Sequence, residues 1–361
     1  MKPVDNRRIL CYTRPAMMSA LSWTNRLGQW RSLLQSVDWE SLQREVEQEL
    51  QAHITIIGPS HTGKSTLFNT LLRQRVSSPV SDQPSTMHTT PTEAWGPLLL
   101  TDTPGFDQGS PEDNESVVWQ TVEQTDAILL VLDATCPFTV NGLTLERVRS
   151  LGRPVVVVLN KIDLVPPTQR SEIVTKAKQH YAPLRVTPIS ARLGAGIADN
   201  LTMALLAVAP TLAVPLAQAW PAHRRRAAQR IIRQAIVATT TTGMQPVPMA
   251  NLSLMLTVQA RMVLRLAAAY GEIISPSHAK ELVSTMLASL GVRYLAQQAA
   301  RVLPGPGWLI SSGIAAAGTW TMGQVAMQYF EGGQALSAVE LRNLYNKLLR
   351  SAPKRLLGAG S

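Results

Sequence analysis

The segment Gly58-Pro-Ser-His-Thr-Gly63-Lys64-Ser65 decides the fold, because a glycine, four residues and then Gly-Lys-Ser is the spacing of a phosphate-binding loop. It follows a strand-like run at 53–57 and precedes a helix expected to begin near Lys64, which is the context that such a loop requires. Its glycines allow backbone N–H groups to converge on a phosphate, and the helix N-terminus adds a partial positive charge. The segment alone therefore predicts a nucleoside triphosphate site.

Strand-like and helical runs alternate after this loop. Strands are predicted at 98–101, 128–133, 155–160 and 185–189, and helices at about 64–75, 113–124, 142–151, 169–181 and 197–208. The alternation predicts an α/β fold, a mostly parallel sheet with helices on both faces. From about residue 210 no strand is predicted, and Pro210, Pro215 and Pro221 indicate a linker to an all-α region. We expect a helical extension at 1–52, a nucleotide-binding domain at 53–208 and a basic, apolar helical domain at 209–361.

The motif Asp102-Thr-Pro-Gly105 follows the second predicted strand. Asp102 can therefore hold the shell of a Mg²⁺ ion, while the Gly105 N–H meets the γ-phosphate of the nucleotide. In the first motif, Lys64 is expected to bridge the β- and γ-phosphates, and the Ser65 hydroxyl is expected to ligate the metal.

Two later motifs identify the base. Asn160-Lys161-Ile-Asp163 closes a predicted strand, and an ionised carboxylate at Asp163 can accept both the N1 and N2 protons of guanine, which adenine lacks. Asn160 and the Lys161 stem are expected to brace the loop and the ring face. Ser190-Ala-Arg192 follows the last predicted strand and is expected to set a backbone N–H against the guanine O6. All motifs lie at the carboxyl ends of strands, where open α/β sheets bind ligands.

These motifs resemble the Era/TrmE-like branch of the Ras-type small GTPases, over roughly residues 53–208. The resemblance implies a P-loop GTPase fold, bound GTP or GDP with Mg²⁺ as the cofactor, and hydrolysis of GTP to GDP and phosphate as a switch. It implies catalytic roles for Lys64, Thr86 and Gly105, and magnesium ligands at Ser65, Thr86 and Asp102. The expected nucleotide-binding residues are Gly58, Pro59, Ser60, His61, Thr62, Gly63, Lys64, Ser65, Thr66, Asp102, Gly105, Asn160, Lys161, Asp163, Ser190, Ala191 and Arg192.

The sequence departs from the family at the positions that control hydrolysis. The switch threonine is not unique: spacing in Era-like proteins favours Thr86, and Thr89 and Thr90 lie in the same Pro/Ser/Thr-rich stretch. Phe106 occupies the place of a water-orienting glutamine, and His61 the place of a potassium-ligating asparagine. An apolar side chain cannot orient water by hydrogen bonding. We expect slow intrinsic turnover, raised by a partner or by a homodimer formed through the GTPase domain.

Positive charge is concentrated in the last part of the chain. The whole chain carries a formal charge of +10, and residues 211–361 hold fifteen Lys and Arg against four Asp and Glu. Such asymmetry indicates a module with an anionic partner, either a lipid surface or a nucleic acid. A predicted helix at 222–233 places Arg226, Arg230 and Arg233 on one face, which is either such a contact surface or an ordinary solvated face.

Several apolar helices are predicted in this basic part. Arg261 and Arg265 lie on one side of a helix at 254–270, as in a bundle. Residues 302–330 carry no charge, a length that could span a bilayer. However, Pro and Gly interrupt the start, and a small-residue ladder at Ser311, Ala315, Thr319 and Gly323 favours a buried or hairpin helix over a crossing.

The matching stretches 246–252, 261–271, 303–307 and 315–318 resemble the YcjF-like helical domain that bacteria attach to Era-like GTPases. That resemblance implies membrane association and supplies no catalytic residues.

Other residues restrict the alternatives. Cys11 and Cys136 are too few for a disulfide framework, and the first 50 residues show no cleavable signal peptide, which suits a cytoplasmic protein. In the leading helices, Trp23, Trp30 and Trp39 are expected to pack in the core. Asp38 or Ser41 is expected to cap a helix that carries Glu45, Glu47 and Glu49 on its solvent side.

The leading hypothesis is therefore a GTP-hydrolysing switch at the cytoplasmic face of a membrane, with a helical tail that docks on the membrane or a membrane protein. An RNA- or ribosome-associated assembly GTPase is the alternative, because basic residues also neutralise nucleic-acid phosphates. A nucleotide-sensing scaffold without appreciable hydrolysis is a third reading.

Overall fold

A computed structural model describes residues 35–73, 92–106, 112–138, 140, 142–243, 250–272, 275–288, 307–333 and 336–357. Six strands form one sheet in the order β2-β3-β1-β4-β5-β6. The strands are β1 Ala52–Ile57, β2 Thr92–Trp95, β3 Leu98–Asp102, β4 Ala127–Asp133, β5 Val155–Asn160 and β6 Arg185–Pro188. All neighbours pair in parallel except β2, which is antiparallel to β3.

The helices fall into two groups along the chain. Those before residue 209 are α1 Trp39–Glu49, α2 Lys64–Arg73, α3 Glu112–Glu123, α4 Gly142–Ser150, α5 Pro167–His180 and α6 Thr202–Val208. Those after it are α7 Ala213–Ala219, α8 Arg224–Gly243, α9 Ala250–Ala269, α10 Pro276–Ala288, α11 Gly307–Glu331 and α12 Ala338–Leu357. The predicted fold class, a mostly parallel α/β domain followed by an all-α region, is confirmed.

The edge strand β2 is the element that the sequence pattern missed. It continues a Pro/Ser/Thr-rich stretch, and its four residues are too short for a clear alternation of apolar and polar positions. It forms because Gly96, with φ +62°, turns the chain back onto β3 in a tight hairpin, in which Trp95 pairs with Leu98.

The alternation of side chains along the strands divides the core into two. On one face, Ile128, Leu130 and Val157 pack with α3, α4 and α5. On the other face, Ile54, Leu100 and Val158 pack in one continuous apolar cluster. The helices in that cluster are α1, α2, α6 and all of those after residue 209. One face of the sheet is therefore covered by the chain's own C-terminal helices.

Residues 210–221 are not the exposed linker that their prolines suggest. Pro210 and Pro221 each open a single 3₁₀ turn, where a proline is tolerated because the first N–H groups of a helix have no partner within it. Between them α7 is buried, with Val214, Leu216 and Ala217 fully shielded from solvent. It contacts β3, α8 and α9, so the passage between the two regions is itself part of the core.

Helices α8, α9, α11 and α12 pack as a bundle. The predicted small-residue ladder lies in α11, where Ala315 and Thr319 are buried. Gly323 meets α8 so closely that a Cβ would lie 2.6 Å from Cγ1 of Ile232, and only glycine fits there. Within the residues described, no helix combines the length and hydropathy needed to cross a bilayer.

The basic face of α8 turns partly toward the nucleotide-binding half of the chain. Arg226 donates to Asp199 at 2.8 Å, and Arg230 donates to the carbonyl of Ala207 at 3.3 Å. Arg233 is exposed. Arg226 and Arg233 are both exposed, as the solvated-face alternative allows, although Arg226 and Arg230 also bond to the nucleotide-binding half.

Helix α1 joins the two halves through a buried ion pair. Asp38 caps the helix by accepting the backbone N–H of Ser41 at 2.9 Å, and Trp39 is buried, as expected. Glu49, however, does not face solvent, and that prediction is wrong. Its carboxylate accepts from Arg265 at 2.7 Å and from Arg261 at 2.8 Å.

This ion pair is shielded and fully hydrogen-bonded. The Glu49 and Arg265 side chains are 11% and 10% exposed. Arg265 also donates to Oε1 of Gln234 at 2.7 Å and to the carbonyl of Pro210 at 3.3 Å. Burial lowers the pKa of Arg265, and Glu49 offsets this by favouring the charged guanidinium. Since α1 ends three residues before β1 begins, the pair fixes the entry to the phosphate-binding strand.

Replacing Glu49 with Ala leaves the buried guanidinium group of Arg265 without its carboxylate, whereas Arg261 is half-exposed and still pairs with Glu45. We expect the free energy of unfolding to fall by about 3–5 kcal/mol, the cost of breaking a buried pair from one side. Urea denaturation measures this. The control is Glu47→Ala on the same helix, whose exposed side chain bonds only to Gln43, and whose expected change is within about 0.5 kcal/mol. Equal effects of the two substitutions would contradict the role assigned to the pair.

Candidate functional site

The sequence motifs meet at the carboxyl edge of the sheet. The loop Gly58–Gly63 joins β1 to α2, Asp102 is the last residue of β3, and Asn160 is the last residue of β5. Ser190 follows the end of β6 by two residues. Because these four strands run in parallel, their carboxyl ends bring residues as distant along the chain as Gly58 and Ser190 into one cleft.

The phosphate-binding loop has a backbone that demands its glycines. Gly58 has φ +148°, and a Cβ there would lie 2.2 Å from the carbonyl oxygen of Val131. Gly63 has φ +89°, and a Cβ there would lie 2.4 Å from Nδ2 of Asn160. His61 is also left-handed, with φ +60°, although its side chain carries a Cβ and is exposed to solvent. The loop therefore packs tightly against the ends of β4 and β5, at positions that only glycine fits.

Lys64 is buried at the base of this loop. Its Nζ donates to the carbonyl of Pro59 at 2.8 Å, and Thr62 donates its hydroxyl to the same oxygen at 2.9 Å. The ammonium thus lies under the loop, where it supplies a positive charge to any phosphate that the loop holds. Thr66 lies two residues further along α2 and is exposed.

Asp102 and Ser65 form a pair suited to a hard cation. The Ser65 side chain hydrogen-bonds to the Asp102 carboxylate, and the second oxygen, Oδ1, is buried without a hydrogen-bond partner among the residues described. Burial raises the pKa of Asp102, and the bond from Ser65 and the charge of Lys64 offset only part of this rise. A buried carboxylate oxygen beside a hydroxyl is an oxygen-ligand set that Mg²⁺ prefers, so these residues fit the ion.

Gly105 rests directly on the phosphate-binding loop. A Cβ on Gly105 would lie 2.8 Å from both N and Cα of Ser60, so no other residue fits without moving one of the loops. The preceding Thr103 donates both its N–H and its hydroxyl to the carbonyl of Ile56, at 3.2 and 2.9 Å. The two phosphate-side motifs are therefore held in contact.

Asn160 connects three loops through one amide. Its Nδ2 donates to the carbonyl of Thr62 at 2.9 Å, and its Oδ1 accepts the N–H of Ala191 at 2.9 Å. Thr70, on α2, donates its hydroxyl to the carbonyl of Ala191 at 2.9 Å. Asn160 is buried, so both bonds form away from water. The phosphate-binding loop and the Ser190–Arg192 loop are thereby fixed relative to each other.

Lys161 crosses the phosphate-binding loop. It is left-handed, with φ +62°, and its Nζ donates to the carbonyl of His61 at 2.5 Å. The same Nζ contacts Oδ2 of Asp133 at 2.7 Å. Asp133 ends β4 and was missing from the residues proposed by sequence analysis. Its position as a carboxylate at the carboxyl end of a buried strand was the signal that could have found it.

Asp163 lies in a 3₁₀ turn, Ile162–Leu164, beside these loops. The N–H of Ile162 donates to the carbonyl of Ile189 at 3.1 Å, and Arg170 donates to the Asp163 carbonyl at 3.2 Å. These bonds hold the backbone of the turn and leave the Asp163 carboxylate half-exposed.

Two hydrogen bonds of Ser190 stabilise the loop that follows β6. Its N–H donates to the carbonyl of Ala195 at 2.9 Å, and its hydroxyl accepts the N–H of Leu193 at 3.2 Å. Ala191 is buried and Arg192 is exposed.

Not every predicted residue is brought to the cleft. Thr86, Thr89 and Thr90 lie outside the described residues. Phe106 packs against the core that contains α3, with its ring centroid 6.3 Å from that of Trp119. The residue at the position of the water-orienting glutamine is therefore engaged in an aromatic contact in the core.

Two parts of the chain match known protein families. Residues 53–161 match a family described as a 50S ribosome-binding GTPase. The chain carries a P-loop GTPase domain. Residues 209–354 match a second family, a domain of unknown function designated DUF697. The YcjF-like resemblance is compatible with this match.

Two curated relatives align with less than half of this chain. The chain is 34% identical over 171 residues to the GTPase HflX of Akkermansia muciniphila, covering 44% of this chain and 38% of that protein. It is 31% identical over 155 residues to the GTPase Era of Geobacter sp. strain M21, covering 40% of this chain and 51% of that protein. The chain thus spans about half or less of these two relatives. The FeoB G domain from Methanococcus jannaschii matches 44% of this chain and 98% of its own, with 23% identity and a TM-score of 0.34.

Replacing Asn160 with Ala removes both bonds that join the loops. The Ala191 N–H and the Thr62 carbonyl then lose their buried partner, and we expect the free energy of unfolding to fall by about 2 kcal/mol or more. Hydrogen exchange of the Ala191 amide is expected to accelerate. Asn200→Ala is the control, because the exposed Asn200 side chain bonds only to Pro188, at 3.3 Å. Unchanged Ala191 exchange in the Asn160 variant would contradict the bridge.

Proposed function

We propose that this protein binds guanine nucleotides with Mg²⁺ and hydrolyses GTP to GDP and phosphate as a conformational switch. The observation that carries the proposal is the convergence of the phosphate-binding loop, Asp102, Gly105 and the Asn160–Asp163 turn on one cleft. The names of the relatives, GTPase HflX and GTPase Era, support the same activity.

The phosphate side of the cleft supplies charge and N–H groups. Lys64 and the N-terminus of α2 are positive where the β- and γ-phosphates would lie. Ser65 and Asp102 would hold the metal, and Thr86 is the further ligand proposed. When bound, Mg²⁺ neutralises charge that develops on the phosphate oxygens. Gly105 would donate its N–H to the γ-phosphate, which GTP has and GDP lacks. The position of Gly105 against Ser60 is therefore expected to differ between the GTP-bound and GDP-bound states.

The base side of the cleft explains a preference for guanine. A carboxylate at Asp163 accepts two hydrogen bonds from the guanine edge, and adenine has no matching pair of donors. The backbone bonds of Ile162 and Asp163 keep the turn that carries this carboxylate in place. The Lys161 stem, held across the loop, would cover one face of the ring.

Hydrolysis by the isolated protein is proposed to be slow. Phe106 has no group that can orient the attacking water, and its packing against Trp119 ties it to the core. Positioning and charge dominate phosphoryl transfer, so a missing water-orienting group lowers the rate without preventing binding. A binding partner, or self-association through the GTPase domain, is the proposed source of acceleration.

Two substitutions test nucleotide recognition. Asp163→Asn replaces one acceptor by a donor, so we expect affinity for GTP to fall by at least about 100-fold and affinity for XTP to rise. Lys64→Ala is expected to abolish triphosphate binding. Calorimetry with Mg²⁺ measures both, and Asp199→Asn, on the exposed side of the domain, is the control. Equal affinity of the wild-type protein for ATP and GTP would refute the proposal.

We further propose that the helical region docks on the acidic surface of a membrane or of a membrane protein, at the cytoplasmic face. The net charge of residues 211–361 supports this, and so does the exposure of Arg342, Lys347 and Arg350 on α12. Because Arg226 and Arg230 pack against the GTPase domain, α12 is the stronger candidate for the contact. Docking at the surface needs no helix that spans the bilayer.

A ribosome is the second candidate partner. The matching family is described as 50S ribosome-binding, and basic side chains on α12 would equally neutralise RNA phosphates. In that case binding would fall steeply with salt and would need no lipid.

Charge reversal on α12 separates these partners. We expect Lys347→Glu with Arg350→Glu to weaken binding to vesicles of acidic lipid by about tenfold or more. The matched control is Lys176→Glu with Lys178→Glu on α5, in the GTPase domain. Flotation with vesicles and sedimentation with ribosomes measure the two contacts. Binding to ribosomes alone supports the alternative, and binding to neither contradicts both.

A further inference from the structure

Asp133 stands between the two halves of the nucleotide cleft. It is the last residue of β4, which pairs with β1 on one side and with β5 on the other. Its register partner on β5 is Asn160, and the chain continues from there into Lys161. A side chain at this position can therefore reach both the phosphate-binding loop and the base-binding turn.

Both oxygens of the Asp133 carboxylate are occupied. Oδ1 accepts the N–H of Thr135 at 2.9 Å and its hydroxyl at 2.7 Å, while Oδ2 lies 2.7 Å from Nζ of Lys161. Partial burial acts to raise the pKa of Asp133, but the bonds from Lys161 and Thr135 together outweigh it and bring the pKa below its ordinary value. The carboxylate is thus ionised and held in one orientation.

Lys161 passes this restraint to the phosphate-binding loop. The Nζ that meets Asp133 also donates to the carbonyl of His61. His61 and Lys161 are the two non-glycine residues with left-handed backbones in the part of the chain described, with φ of 60° and 62°. Residues with a Cβ adopt that conformation at an energetic cost. The ammonium group links both strained positions, so its placement stabilises the shape of the loop on each side of the nucleotide.

This arrangement differs from an ordinary surface ion pair. The Lys161 and Asp133 side chains are 30% and 21% exposed, so water and salt screen them incompletely. The geometry is also fixed by three further hydrogen bonds, whereas an isolated pair of exposed side chains loses most of its energy to side-chain entropy. A network of this kind restrains its members more strongly than separate pairs do.

We propose that Asp133 is a positioning residue, which holds the Lys161 side chain across the phosphate-binding loop and thereby slows the release of bound guanine nucleotide. The proposal rests on the proposed function, because it assumes that guanine nucleotide occupies the cleft. Asp133 acts through Lys161 and His61 and does not take part in phosphoryl transfer. Its removal therefore shortens the time for which the nucleotide stays bound.

Release of a fluorescent GDP analogue from the full-length protein, with Mg²⁺, tests this proposal. Asp133→Asn keeps the shape but removes the charge, and release is expected to accelerate by about 10-fold to 100-fold, as for loss of a hydrogen bond between charged groups. Asp126→Asn is the matched control, since Asp126 precedes the same strand at its far end and its carboxylate accepts the His53 N–H.

A double-mutant cycle shows whether the effect passes through the lysine. Lys161→Gln alone is expected to accelerate release, and Asp133→Asn added to it is expected to have no further effect. Thr135→Val, at an exposed residue, removes only one bond that orients the carboxylate, and a smaller acceleration is expected from it. It also serves if Asp133→Asn does not fold.

The outcomes are distinguishable. If the wild-type protein binds guanine nucleotide and Asp133→Asn releases it at the wild-type rate, the role of Asp133 is overturned and the proposed function stands. Additive effects of Asp133→Asn and Lys161→Gln also overturn it. If the wild-type protein binds no guanine nucleotide, the proposed function and this inference fall together.

Discussion

The ion pair between Glu49 and Arg265 lies where the two halves of the chain meet, in surroundings that water scarcely reaches. Removing two charges from water is costly, so the pair is stable only while α1, α8 and α9 keep every partner in place. That requirement fixes α1, and α1 leads directly into β1 and the phosphate-binding loop. The nucleotide cleft is therefore built on a strand whose start is anchored by the C-terminal helices.

A few contacts likewise hold the phosphate-binding loop in the cleft. Asn160, Lys161 and Gly105 each touch the phosphate-binding loop from a different direction. The loop has no regular secondary structure of its own, and its shape comes from these three neighbours and from its glycines. Such preorganisation matters for a phosphate site, because N–H groups that already point inward bind an anion without a further cost of ordering. The site therefore forms only when the carboxyl ends of all four strands are in place.

Sequence reasoning succeeded where a residue's role depends on its immediate neighbours. Five strands and the order of the motifs followed from short patterns, because a buried parallel strand is a continuous apolar run whichever residues lie beside it. Helix α1 was also predicted, with Asp38 or Ser41 as its cap, and Asp38 is the residue that caps it. Strand β2 and the turn at Gly96 were not predicted, because a four-residue strand has too few positions to show the alternation of apolar and polar residues.

Reasoning from sequence failed where a side chain's partner is distant along the chain. Glu49 looked solvated because its helix carries other acidic residues, and only its partner in α9 reveals that it is buried. Asp133 and the burial of α7 were missed for the same reason. Prolines at 210 and 221 suggested a break in structure, yet each opens a turn that the surrounding apolar residues then enclose. The local pattern cannot contain this information.

The apolar cluster shared by the sheet and the C-terminal helices has a consequence for how this chain can change over generations. A fragment cut after residue 208 would expose one face of the sheet, because the helices after that residue share one apolar cluster with Ile54, Leu100 and Val158 of the strands. The two segments that match separate families are therefore not interchangeable cassettes. If a gene fusion brought them together, the apolar side chains of both segments would have had to change to fit each other.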